Sequence, residues 1–351
     1  MLIPQSLTIL TTSRCSASCD HCCMNSGPSR TDVLDGQTVT NVISDLHKRS
    51  PLKVVVFAGG EPTLAKGALH AGIQHCRKLG ITSRLVTNAS WATSFPKARK
   101  MIERLRASGL NEINFSADDY HLPDVPFENV IRAWKVSKCV GFSGVIVANG
   151  AAPGSFITPS YIMEQLTETL PTRFSDEGLS QMSSSPASDG TVYGISNSRY
   201  QRLGRAKDFL PEHSFQDADY FKDLSGGCPH AVQSPALSPQ GHLLSCCGFE
   251  LEGNGVLDFG AAGGDRASNR IEAANADPIV RAIAYLGPAF LKEVVEQVAP
   301  KIEFPKSFGS MCEVCQSVVG NTEAIEALRE NVNLLSLATN TVVRRLEKQT
   351  A

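Results

Sequence analysis

Cys15, Cys19 and Cys22 stand in a Cys-x3-Cys-x2-Cys array near the start of the chain, with Gly59-Gly60-Glu61-Pro62 following. A cysteine triplet most often marks zinc. Structural zinc takes a fourth protein ligand, however, and none lies nearby at ribbon spacing. Three thiolates can instead hold a four-iron cluster by three of its irons, leaving the fourth open to a small ligand. The two glycines give a turn without side chains, where backbone can approach a ligand closely. Pro62 stiffens that turn.

These residues need a scaffold, and the first 150 positions supply a repeating strand–helix pattern. Strands are expected at Leu7 to Thr12, Lys53 to Ala58, Thr82 to Thr87, Glu112 to Ser116 and Ser143 to Ala148. Gly36 to Arg49 reads as a helix, with Val39, Val42, Ile43 and Leu46 on one face and Asp35 as its N-cap. Lys97 to Ser108 reads as another, stopped by Gly109, and Asn129 to Val140 as a third. Such alternation predicts an α/β fold with a parallel sheet and helices outside. Closed or nearly so, it is a barrel whose chemistry sits at the C-terminal ends of its strands. Cys15, Gly59, Asn88 and Ser116 all fall at or just past such ends.

Beyond Gly150 the pattern weakens. Ile157 to Leu170 reads as a helix, and Thr191 to Ser196 as a last barrel strand. Pro171 to Gly190, rich in Ser, Asp and Gly, reads as a surface loop, with a lid over the barrel mouth as the alternative. From Cys228 a Pro/Gly/Cys-rich hairpin gives way to helices. Thr322 to Lys348 carries Ile325, Leu328, Val332, Leu335, Val342 and Leu346 at helical spacing.

With 351 residues, 42% of them hydrophobic, the chain can bury a large core. The balance of 33 basic against 35 acidic residues argues against a general nucleic-acid or membrane-surface binder. No export signal and no long apolar run are evident. Eleven cysteines are many, and eight fall in three tight clusters. That points to reduced, metal- or iron–sulfur-binding cysteines in the cytoplasm, and to oxygen sensitivity. Cys76 shares helical spacing with Leu69, Ile73 and Leu79, and Cys139 lies near Trp134 and Val136, so both read as core. Cys23 adjoins a candidate ligand without being counted as one.

The cysteine triplet followed by Gly-Gly-Glu-Pro resembles the radical S-adenosylmethionine (SAM) enzymes. The resemblance implies a partial (β/α)6 TIM-like barrel. It also implies that Cys15, Cys19 and Cys22 hold a [4Fe-4S] cluster whose open iron chelates SAM. His21 stands where the family usually has an aromatic residue before the third cysteine. By the same resemblance Gly59, Gly60, Glu61 and Pro62 contact the methionine amino group, with Glu61 accepting from the ammonium. Asn88, within Thr87-Asn88-Ala89, contacts cofactor or substrate, or alternatively caps a turn. Ser116 and Asp118 lie near the SAM carboxylate or ribose, and Asn149 is a further ribose candidate. Asp119, Tyr120 and His121 face substrate, with His121 an acid/base or substrate ligand, or else structural. Arg205 belongs to a segment found after the barrel and binds substrate or forms a salt bridge.

Cys228-x12-Gly241-x4-Cys246, followed by Cys312-x2-Cys315, resembles the auxiliary-cluster domain of the SPASM and twitch subfamilies. No cysteine follows Cys315, which fits the shorter twitch type with one [4Fe-4S] cluster on Cys228, Cys246, Cys312 and Cys315. Zinc on the same ligands, or Cys247 in place of Cys246, remain alternatives. Cys247 is also a candidate hydrogen-atom donor to a substrate radical, as in radical peptide epimerases. The expected organisation is a barrel over 1–207, a linker over 208–227, an auxiliary domain over 228–320 and a C-terminal helix over 321–351.

The implied reaction is reductive cleavage of SAM to a 5′-deoxyadenosyl radical that removes hydrogen from substrate, assisted by electron transfer to the auxiliary cluster. A ribosomally made peptide is the leading substrate. The alternatives are a sugar or cyclitol in a small-molecule dehydrogenase, and a non-catalytic iron–sulfur protein that binds SAM as a sensor. Expected partners are a flavodoxin- or ferredoxin-type electron donor and, because only 14 residues precede Cys15, a separate leader-peptide-binding protein or the barrel mouth itself.

Overall fold

The structure is a computed structural model, and it describes residues 1–174, 180–263 and 266–350. Its first half alternates as the pattern predicts. β1 (Ser6–Leu10), α1 (Gly36–Arg49), β2 (Val54–Ala58), α2 (Lys66–Leu79), β3 (Thr82–Thr87) and α3 (Phe95–Ser108) come first. β4 (Glu112–Ser116), α4 (Phe127–Ser137), β5 (Gly144–Gly150) and α5 (Pro159–Leu166) follow. Asp35 caps α1 by accepting from Thr38 N, and Val39, Val42, Ile43 and Leu46 are its buried face.

The chain then forms β6 (Thr172–Phe174), β7 (Ser180–Pro186), β8 (Val192–Ser198) and the four-residue α6 (Ala206–Phe209). β1, β2, β3, β4, β5 and β8 pair in that order, all parallel. Together with the crossover helices they make the parallel core of a partial TIM-like barrel. Two features depart from the sequence reading. The stretch from Pro171 to Gly190 is not a simple loop in its described part: β6 and β7 form an antiparallel hairpin added beside β8. Ser180 to Pro186 carries serines where an apolar alternation would have announced a strand. The lid alternative falls partly on 175–179, outside the described residues.

The other edge of the sheet is built from the far end of the chain. β9 (Ala236–Leu237) pairs parallel with β1, and β10 (His242–Leu244) and β11 (Asp258–Ala261) follow antiparallel. The sheet therefore has eleven described strands and runs unbroken across the expected 207/228 boundary. Residues 208–227, read as a linker, bury Leu210, Phe215 and Leu224. Helices α7 (Ala267–Ala276), α8 (Pro278–Tyr285), α9 (Pro288–Val298) and α10 (Met311–Val319) come next, with α7 packing on α1. The expected last helix is two: α11 (Thr322–Glu330) and α12 (Val332–Thr350). Asn331 breaks it, turning its side-chain amide back to the Ala327 carbonyl.

Large fully buried side chains, among them Leu7, Ile9, Phe57, Phe115 and Trp134, fill the space between sheet and helices. Gly72 lets α2 approach β2, since a Cβ there would lie 2.4 Å from Cε1 of the Phe57 ring. Gly72→Ala should overpack this contact and cost about 1–3 kcal/mol. A lower urea midpoint with an unchanged slope is the expected readout; an unchanged midpoint would show that the ring yields freely.

Candidate active site

The cysteine loop after β1 has little regular structure of its own, so other segments hold it. Gly60 N donates to the Thr12 carbonyl (2.6 Å) and Glu61 N to the Arg14 carbonyl (2.9 Å). These contacts require glycine: a Cβ on Gly59 would lie 2.6 Å from Thr12 O, and one on Gly60 2.1 Å from Arg14 O. Gly59 also sits at φ +127°, where other residues are strained. On the far side, Arg205 donates to the Cys19 carbonyl through Nε and Nη2 (2.9 and 2.7 Å) and to the Ser26 carbonyl through Nη1 (2.7 Å). Its own backbone N–H bonds the Cys22 carbonyl. Arg205 is thus a clamp on the loop backbone, and it also lines the adjoining cavity.

Asn88 reaches the loop from the end of β3. Its Nδ2 donates to Ser16 Oγ (3.0 Å) and lies 3.6 Å from Cys15 Sγ as a donor. Burial pushes the Cys15 thiol up to about 12, with negative charge on Glu61, Cys19 and Cys22 adding to the shift. Glu61 is fully buried and accepts from Thr63 N, Thr63 Oγ1 and Thr87 Oγ1 through Oε1, and from Asn88 N through Oε2. Enclosed in this way, its carboxylate is a brace between the Gly59–Pro62 turn and β3. Burial raises its pKa, against the pull of those donors. Pro62 is buried too, at the start of a single 3-10 turn, Pro62–Leu64.

Past β4, Asp118 is 4% exposed and gathers two imidazoles. Its Oδ2 lies 2.9 Å from His121 Nδ1 and 3.3 Å from His21 Nε2, while Oδ1 accepts from the Tyr120 and His121 amides. Burial would raise this carboxyl, but His121 and His21 together hold it well below the usual range. Burial would lower His121; Asp118, helped by Cys19, drives it well above its ordinary value instead. Cys19, His21 and His121 each bring a ligand atom within 4.8 Å of the others. His21 stacks edge-on to Tyr200 and His121, and Tyr120 meets Tyr200 at 5.0 Å, making an aromatic wall. Asp119 turns away, accepting from the Phe156 and Ile157 amides.

Two adjoining cavities result. One of about 200 Å³ is lined by Cys15, Cys19, Cys22, Gly59, Gly60, Asn88 and Arg205. The other, of about 280 Å³, is lined by Asp118, Asn149, Tyr200 and Gly248. Ser116, His21, His121 and Cys23 line both. Glu61 and Pro62 line neither. Asn149 is 3% exposed; its Nδ2 donates to the Ala117 and Ile157 carbonyls while Oδ1 is buried without a partner among the described residues. A hydroxyl-bearing ligand in the second cavity would complete it.

The C-terminal cysteines converge as well. Gly248 in the second cavity places its Cβ position 3.4 Å from Cys312 Sγ and 3.7 Å from Cys246 Sγ. All six pairs among Cys228, Cys246, Cys312 and Cys315 lie close enough for charge on one to raise the pKa of another. Burial, the larger cause, and this repulsion push Cys312 up to about 12 and Cys246 and Cys315 upward too. Such an all-sulfur set, with Cys315 buried and Cys228, Cys246 and Cys312 half-buried, suits a soft metal or an iron–sulfur cluster. Cys247 acts on Cys246 and Cys312 but not on Cys315. It is exposed, receives Thr8 Oγ1 at 3.6 Å and is not among the residues lining either cavity.

Sequence reasoning passed over Cys23. Its thiol lies between the two cysteine groups, pushed up to about 12 by burial, then by Cys22, Cys247 and Cys312. The Cys22-Cys23 doublet was its visible mark. Gly204 was also missed: a Cβ there would lie 2.4 Å from the Cys22 carbonyl oxygen. Glu61→Ala should leave four donors unsatisfied and cost about 2–5 kcal/mol, since each stranded buried donor costs about 1–3 kcal/mol before relaxation. Thermal or urea denaturation of the metal-free protein tests this; a loss below about 1 kcal/mol would contradict the bracing role.

Residues 9–147 match the model of the radical SAM superfamily. The "Putative peptide biosynthesis protein YydG" of Bacillus subtilis (strain 168) is 26% identical over 158 residues, 45% of this chain and 49% of that protein. The match thus spans about half the length of this curated relative. Among solved structures, Streptococcus suis SuiB bound to S-adenosylmethionine is 14% identical at TM-score 0.38, over 73% of this chain and 63% of that one. The anSMEcpe structure with AdoMet and a Cp18Cys peptide is 14% identical at TM-score 0.47, over 95% of this chain and 99% of that one. The similarity to the radical SAM superfamily therefore covers residues 9–147, the part of the chain that holds the three-cysteine loop and the Gly59–Pro62 turn.

Proposed function

We propose that this chain is a peptide-modifying radical SAM enzyme. Cys15, Cys19 and Cys22 would hold a [4Fe-4S] cluster with one open iron, and the first cavity would take SAM along Gly59 and Gly60. Cys228, Cys246, Cys312 and Cys315 would hold one auxiliary [4Fe-4S] cluster. Bound there, cluster and SAM would supply a 5′-deoxyadenosyl radical able to remove hydrogen from an unactivated carbon.

One observation carries the reading. The second cavity runs from the first, at Ser116 and His121, to Gly248 beside Cys246 and Cys312. A substrate there would lie between the site of hydrogen removal and a sulfur-bound electron acceptor, which suits a net oxidation. The chain's own residues do the rest. Arg205 and the Gly59–Glu61 turn fix the loop, and Asn88 directs a donor at Cys15 Sγ. Asn149 Oδ1 offers an acceptor for a ribose hydroxyl where SAM in the first cavity extends into the second. The Asp118–His121 pair can hold a proton at Nδ1, and His21, Tyr120 and Tyr200 wall off water. The B. subtilis relative, a "Putative peptide biosynthesis protein", supports a peptide as the substrate class.

Anaerobically reconstituted protein given dithionite and SAM should release 5′-deoxyadenosine. Cys19→Ala should lower that release by at least about 100-fold, because losing a ligand costs more than the about 10–100-fold typical of losing an outer-shell partner. Arg205→Ala should lower iron content while leaving the apo fold intact by circular dichroism. A short peptide encoded beside this gene should raise the release and change mass by two hydrogens or take up solvent deuterium. Well-loaded protein that cleaves no SAM, with or without peptide, would overturn the reading and favour a binding or sensing role.

A further inference from the structure

Each SAM cleaved in the reaction proposed above consumes one electron, so the chain needs a place where a donor can deliver it; this inference rests on that reading. Between Leu64 and Arg104 the sequence has eight Lys or Arg residues and one acidic residue, Glu103, in a chain whose formal charge is −2. The fold sorts these charges. On α3, Lys97, Lys100 and Arg104 follow one another at helical spacing and are all exposed. Arg104 shares an open groove with exposed Lys66 at the start of α2, so the stripe lies on the α2 side of α3. None of these four cations forms a salt bridge among the described residues, whereas Arg84 between them in sequence is paired with Glu112.

Two exposed apolar side chains lie in the connections that lead into α2 and α3. Leu64 is 46% and Phe95 50% exposed. Leu64 lies in the turn between β2 and α2 and Phe95 opens α3. Those two connections are the ones whose other members, Gly60, Glu61 and Asn88, bond the cysteine loop. The cationic face therefore starts beside the loop of Cys15. Exposed apolar side chains with a cationic rim free of salt bridges suit an interface with an acidic protein. It also falls off with salt, as contacts between exposed charges do.

We propose that the α2–α3 face, with Leu64 and Phe95 as its apolar anchor, is the docking surface for an acidic one-electron carrier protein of the flavodoxin or ferredoxin class. In each turnover the reduced carrier gives up one electron, which is used in SAM cleavage; where the substrate undergoes net oxidation, the electron it passes to the C-terminal acceptor leaves to an oxidised carrier, so the cycle balances. Lys66, Lys97, Lys100 and Arg104 would orient the carrier, so they act on delivery and not on the chemistry that follows.

The test compares two electron sources in reconstituted full-length protein: chemically reduced flavodoxin and dithionite. Two variants are made, K97E/K100E/R104E and Phe95→Ser. With flavodoxin at about 0.05 M salt, where exposed charges act over more than about 10 Å, the triple variant should release 5′-deoxyadenosine at least about tenfold more slowly. With dithionite both variants should match the wild-type chain. Flavodoxin binding by calorimetry should weaken in both variants, and for the wild type as salt rises to about 0.3 M. Equal flavodoxin-driven rates in wild type and variants would overturn the proposal. So would a loss confined to peptide turnover with dithionite, which would assign the face to an acidic peptide. Failure of dithionite-driven cleavage in the wild type would instead contradict the radical SAM reading, and calorimetry would still decide the docking.

Discussion

The site depends on backbone hydrogen bonds from the Gly59–Glu61 turn to the carbonyls of Thr12 and Arg14. The cysteine loop is a long connection with no regular helix or strand to aim three thiols. Its shape is imposed from outside. The turn pins its first half, and Arg205 pins its second through three guanidinium nitrogens on two carbonyls. Buried carbonyls must find donors, and here the donors come from two distant parts of the chain. That requirement explains the paired glycines: side chains at 59 or 60 would strike the Thr12–Arg14 backbone before they met any ligand.

Glu61 extends this logic one layer outward. Its buried carboxylate joins the turn to the end of β3, so that Asn88 emerges beside Cys15. Asp118 plays the parallel part past β4, collecting His21 from the cysteine loop and His121 from its own turn. Two buried acids thus tie three strand ends to one loop. The third tie is the sheet itself. Because β9 adds to the edge at β1, the segment bearing Cys228, Cys246 and Gly248 is held beside the barrel mouth and not tethered by a free linker.

Much of this was legible in the sequence because it is local. Strand–helix alternation from Leu7 to Ala148 reflects side-chain periods of 2 and 3.6, and the structure follows it to within a residue or two at most ends. The cysteine groups were visible as spacing. What escaped was non-local or apolar-free. The serine-rich β7 has no hydrophobic alternation to read, and the edge pairing of β9 with β1 joins residues more than two hundred positions apart. The bracing roles of Glu61 and Arg205 also escaped, for one reason. A charged side chain in a motif suggests a ligand, yet in a buried loop its first duty is to satisfy the backbone. Cys23 and Cys247 show the same limit, since only the fold reveals which thiol lines the cavities.

The central claim is that seven cysteines form two separate sites, one of three thiols and one of four, flanking a shared cavity. Iron counting with Mössbauer spectroscopy on anaerobically reconstituted protein tests it most directly. The account predicts about eight irons per chain in two four-iron clusters, falling to about four in a Cys312→Ala/Cys315→Ala variant. About four irons in the unaltered chain, or zinc bound at the C-terminal thiols, would contradict it.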